Sequence, residues 1–202
     1  MKNNTMMTIT LCILTLIIAS PLAKAQNKTN WFGGDVYDGS PALNVTSALV
    51  KSGGGATNFK FSTALVSMLG EKIVNAEVQK LTKQYGKENV ATFLTGMTFA
   101  VKSALKHATK AGIKLPASAE NLKGITLAKA LVTAGTAEDG TWWSGQLFDK
   151  ALSNQIHNLV MADIEATHGH SVDMMTHRIL NQAMYDVAQA LGYKDVKLAS
   201  LH

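Results

Sequence analysis

The stretch Gln155–Leu180, QIHNLVMADIEATHGHSVDMMTHRIL, decides how the rest of the chain is read. Ile156, Leu159, Val160 and Ile164 recur at threes and fours, the spacing of one helix face. Gly169 interrupts that pattern, Ser171 supplies a capping hydroxyl, and Asp173 complements the positive pole of a new first turn. The segment therefore predicts the end of one long helix, a two-residue turn and the start of another, forming a helix-turn-helix hairpin. It also gathers four of the six histidines, the sole arginine (Arg178), and Met161, Met174 and Met175.

Outward from this hairpin, the same periodicity predicts helix after helix. Trp142-Trp143 leads into the long helix, whose face includes Leu147, Phe148, Ala151 and Leu152. A short helix over Leu127–Ala134, capped by Thr126 and stopped by Gly135, precedes an acidic turn at Ala137–Thr141. Ile113–Gly124, with Pro116, is a connection. Upstream, Val90, Phe93, Leu94, Met97, Val101, Ala104, Leu105 and Ala108 mark a helix from Glu88 to about Ala111. Leu65, Val66, Leu69, Ile73, Val74 and Leu81 mark another, from a Ser62 cap to Gly86. Gly70 and Gly96 fall inside these two helices, where close helix crossing would account for both. Ser40-Pro41 starts a first helix, which ends near Ser52 at Gly53-Gly54-Gly55, a flexible connector with no following lysine and serine to make it a phosphate cradle.

The fold expected is all-α: one compact domain of five or six helices over residues 40–192. It follows a polar arm at 26–39, held by Trp31, Phe32, Val36 and Tyr37, and carries an aperiodic tail at 193–202. Residues 1–25 read as a cleaved signal peptide of the bacterial Sec type. Lys2 is its positive region, Met6–Ala19 its apolar run, and Pro21 with Ala23-Lys24-Ala25 its cleavage signal, with the cut after Ala25. The expected location is the periplasm or the outside of the cell, with no membrane span left after processing. The single cysteine, Cys12, lies within the signal, so the mature chain has no thiol and rests on its core. Asn27-Lys-Thr and Asn44-Val-Thr fit the glycosylation pattern, which matters only in a eukaryotic secretory route.

The formal charge of +5 falls to +3 when Lys2 and Lys24 leave. With one arginine for bidentate contacts, the chain is not read as a nucleic-acid binder. The mature sequence has no cysteine nucleophile and no GxSxG elbow. The adjacent Glu138 and Asp139 are placed as solvated turn residues, since neighbours on a turn do not face each other across a sugar. Trp142-Trp143 is read as a staple of the long helix rather than a binding platform. The chain has neither the haem-pocket spacing of truncated globins nor the paired ExxH of di-iron bundles, so no family resemblance guides the reading.

The residues that stand out for chemistry are those at the turn. Glu165 and His168 are an i, i+3 pair, Asp173 and His177 an i, i+4 pair, and His170 lies between. A tight turn brings the two sets together, so Glu165, His168, His170, Asp173 and His177 form a candidate metal site. Imidazole with carboxylate suits zinc, whereas imidazole with the thioether of Met174 suits copper. His157, eleven residues before His168, lies roughly 16 Å away along a straight helix and is set apart from the turn. It would serve only a haem alternative, with Met161 one turn on. The ordinary structural roles of these residues are just as plain: a histidine in a last helical turn and an aspartate in a first one complement the helix dipole, and methionines fill cores. The function expected is binding or interaction with a protein or small ligand rather than catalysis, the alternative being transition-metal binding at the turn.

Overall fold

Single glycines turn this chain from one helix directly into the next. The computed structural model describes residues 28–31, 34–37, 41–117, 121–143, 145–146 and 154–199. In order they form strands β1 (Lys28–Trp31) and β2 (Gly34–Tyr37), then helices α1 (Pro41–Ser52), α2 (Gly55–Asn58), α3 (Phe61–Leu69), α4 (Glu71–Tyr85), α5 (Lys87–Lys110) and α6 (Gly124–Gly135). Strand β3 (Thr141–Trp142), helices α7 (Asn154–His168) and α8 (His170–Ala190), and strand β4 (Lys197–Leu198) complete the chain. No described helix is long and apolar enough to cross a membrane. The signal segment, the Ser40 cap and the apolar positions Leu147 to Leu152 lie outside the described residues.

The protein is mostly helical, as the periodicity predicts, but with eight described helices where five or six were expected. The difference comes from the glycines. Gly70 does not sit inside a helix: at φ 81° and ψ 152° it ends α3 and begins α4. A Cβ there would meet nothing within 4 Å, so backbone conformation and not close crossing is its reason. The triple glycine is tighter than a flexible connector, because a side chain at Gly53 would overlap the buried ring of Phe59. Lys60 and Lys123, rather than Ser62 and Thr126, stand at the starts of α3 and α6.

Three helices frame the site. On α5, Ala100, Ala104 and Ala108 recur every fourth residue and are buried against Ile156, Val160 and Ile164 of α7, which share that spacing. Small residues on one helix let branched ones on the other approach closely, and each buried Ile or Val contributes about 1.5–3 kcal/mol. Helix α8 closes the triangle. Its Ile179, Leu180, Met184 and Val187 enter the main core with Phe61 and Leu81 (α3 and α4), Phe93 and Met97 (α5), and Leu127 and Val132 (α6).

Two small pairings of strands went unseen in the sequence. β1 and β2 are antiparallel, with Lys28 opposite Tyr37 and Trp31 opposite Gly34. β3 and β4 are parallel, Thr141 opposite Lys197 and Trp142 opposite Leu198, so the C-terminal tail is tied back to the body. Val196 is buried beside them. Trp142 is almost wholly buried and donates its indole N–H to the Leu131 carbonyl (3.2 Å). It packs so tightly on Gly135 that no side chain would fit there. The tryptophan thus staples α6, while Trp143 is exposed. Asp139 is a turn former, accepting from the Thr141 N–H (2.8 Å) and hydroxyl (3.1 Å), bonds that hold its carboxyl below the usual range.

Candidate metal centre at the α7–α8 joint

The turn between the last two helices is one residue long, not two. Gly169, at φ 88° and ψ 155°, closes α7 by donating to the Glu165 carbonyl (2.9 Å) and opens α8 by accepting from Val172 (3.1 Å). That backbone region is open essentially to glycine alone. Ser171 is therefore already inside α8, whose N-terminus has no side-chain cap.

The short joint puts the end of α7 against the start of α8. Across it, Glu165 Oε1 and His170 Nδ1 are 2.6 Å apart, with both side chains exposed. One turn into α8, Asp173 faces inward with no exposed surface. Donor atoms of Glu165, His170 and Asp173 all lie within 4.8 Å of one another. Neither carboxylate oxygen of Asp173 has a hydrogen bond; the nearest basic group is His177 Nδ1, 3.4 Å from Oδ1. His177 instead gives its Nδ1 to the Asp173 main-chain carbonyl (3.0 Å). Burial would lower the pKa of His177, but the Asp173 side chain, carbonyl and charge outweigh it and raise it. His177 is thus the charged partner of a buried carboxylate whose oxygens accept no well-formed hydrogen bond, which leaves Asp173 room to bind a closer cation.

Of the residues singled out from the sequence, the structure thus gathers Glu165, His170 and Asp173. His177 joins them through Asp173. His168 takes another direction: its exposed ring stands edge-on to Phe99 of α5, with centroids 5.0 Å apart. Met174 is half-buried, and Met175 packs on the main core.

His157 requires a correction. It is far from His168 along α7, but α8 runs back past it, and the rings of His157 and His177 lie 6.4 Å apart between centroids. Distance along one helix carries no information on where the next one returns. The cleft beside these rings is small, with room for about one water-sized particle. It suits an ion or a ligand of few atoms; a porphyrin would require the helices to part.

Two further polar groups could not be read from sequence. His107 joins α5 to α7: its Nε2 is 2.9 Å from Asp163 Oδ2, which also accepts from the Ser103 hydroxyl (2.6 Å). These two contacts hold the Asp163 carboxyl below its ordinary value. Between α4 and α8, Glu77 stands beside Asp186, which pairs with Lys80 Nζ (2.6 Å) and accepts from Gln182 (3.1 Å). Burial, then the hydrogen bond and charge of Asp186, push Glu77 up to about 7.

No family model matches this chain, and no curated protein or solved structure is significantly similar to it.

Proposed function

We propose that this is an exported protein that works by binding, and that its ligand is a divalent transition-metal ion held at the α7–α8 joint. Glu165, His170 and Asp173 are the ligands: one imidazole and two carboxylates, a donor set that suits zinc or another borderline cation. The observation that carries this reading is Asp173, a fully buried carboxylate without a hydrogen bond, within ligand reach of an exposed carboxylate and an imidazole. A cation there would neutralise the buried charge and draw the Glu165–His170 pair onto it. His177, whose Nδ1 lies 3.4 Å from Asp173 Oδ1, would support the carboxylate from behind.

Elemental analysis of protein purified without chelator or affinity tag tests this, together with a zinc titration. One equivalent of zinc per chain and a rise in Tm are expected, both lost in the Glu165→Gln, His170→Gln double variant. Sub-stoichiometric metal with no gain in heat stability overturns the reading. It would leave the helical body as an interaction module.

A further inference from the structure

A second set of donors lies deeper in the same three-helix wedge and has a different chemistry. The cleft between α5, α7 and α8 is lined by His157 and Met161 from α7, Thr176 and His177 from α8, and Met97 from α5. Ala100, Val160, Ile164 and Leu180 form the remaining apolar wall. Its interior has room for one water-sized particle.

Several observations converge on that space. Two imidazoles border it, tilted by 38° with centroids 6.4 Å apart. A metal bonded at about 2.0 Å to a nitrogen of each ring would place the centroids roughly 5–6 Å apart, close to the separation found. The Nδ1 of His177 is engaged by the Asp173 carbonyl. With the outer nitrogen held by a main-chain acceptor, as is usual for ligating histidines, Nε2 is the nitrogen left for a metal, which takes the place of any proton there. Thr176, 3% exposed, lines the same space, and its hydroxyl has no hydrogen-bond partner. The only sulfur donors lining the cleft are thioethers, and the mature chain has no thiolate to compete with them.

We infer that this cleft is a binding site for a soft monovalent metal ion, copper(I), held by the imidazoles of His157 and His177 and the thioethers of Met97 and Met161. Thioether sulfur is a poor ligand for zinc and a good one for copper(I), so the inner site selects a different ion from the carboxylate-rich joint. The apolar wall keeps water from the ion, which favours the reduced state. The inference does not rest on the joint site: no residue is a ligand in both. They are linked only through the Asp173–His177 contact.

Anaerobic titration of the tag-free protein with copper(I) against a competing chromogenic chelator tests this, paired with X-ray absorption at the copper edge. One tightly held equivalent with sulfur in the first shell is expected. The Met97→Leu, Met161→Leu variant keeps volume and apolar character, so its helical circular dichroism should be retained while copper(I) affinity falls at least tenfold and sulfur leaves the shell. The Glu165→Gln, His170→Gln variant should bind copper(I) as the parent does, which separates failure here from failure of the joint. Copper(I) binding that is unchanged by the methionine substitutions, or a copper shell of nitrogen and oxygen only, overturns the inference. So does the absence of stoichiometric binding, which would make the cleft the seat of a buried water only.

Discussion

Gly96 on α5 and Thr176 on α8 touch so closely that a Cβ at Gly96 would stand 2.8 Å from the Thr176 hydroxyl oxygen. Both residues are buried, and the contact sets how near α5 and α8 approach. In an exposed helix, Gly96→Ala would stabilise by about 1 kcal/mol. Here the overlap should reverse the sign, with a net loss of about 1–2 kcal/mol. Adding Thr176→Ala removes the obstacle, so Gly96→Ala should become neutral or stabilising in that background. Urea denaturation of the four proteins of this double-mutant cycle measures it; additive effects would mean that the contact does not limit the crossing.

Asp173 should matter more for binding than for stability. In metal-depleted protein, Asp173→Asn relieves the burial of a charge but breaks the pair with His177 Nδ1 (3.4 Å), so the net change should stay within about 1 kcal/mol. The same substitution should abolish the gain in Tm on adding zinc. Calorimetry with and without zinc provides both readings, and a destabilised variant that still responds to zinc would remove Asp173 from the site.

Gly169 and Gly70 share one backbone conformation but only one of them adjoins the site. Alanine at either position should cost about 1–3 kcal/mol in stability, because neither backbone suits a side chain. Only Gly169→Ala should also weaken zinc binding, since it disturbs the 2.6 Å approach of His170 to Glu165. Equal zinc affinity in the two variants would show that the joint geometry is irrelevant to the metal.

Glu77 predicts a pH dependence of definite sign. Its pKa rises from 4.5 in the unfolded chain to about 7 in the folded protein, through burial and the neighbouring Asp186, against the opposing charge of Lys80. Between these values the folded state binds more protons than the unfolded one, so this contribution to stability declines as pH rises from about 5 to 7.5. For a half-buried group the effect is on the order of 1–2 kcal/mol after screening. Glu77→Gln should flatten this part of the profile and be relatively more stable than the parent at pH 8 than at pH 5. Denaturant midpoints at several pH values test it; parallel profiles for the two proteins would refute the shift.

What the sequence determined by itself is the helical class, much of the apolar face of the described helices (Val66 and Ile73, read as part of one, are exposed) and the position of the last hairpin. These follow from local periodicity and from glycines that stop helices. Ile156, Val160 and Ile164 could be read as a face from their spacing alone, and they are buried. The gathering of Glu165, His170 and Asp173 was also within reach, because all three lie within nine residues around one glycine. Gly96 is the close crossing its place in the helix suggested, but only the tertiary structure decided that Gly70 is a joint instead, since the two glycines differ only in backbone angles and neighbours. It also decided that His168 turns to Phe99, that His157 meets His177, that Asp163 answers His107 and that the tail pairs with Thr141-Trp142. Each of these depends on where a distant helix or strand returns. That is set by the packing of whole faces, which no local pattern of residues encodes.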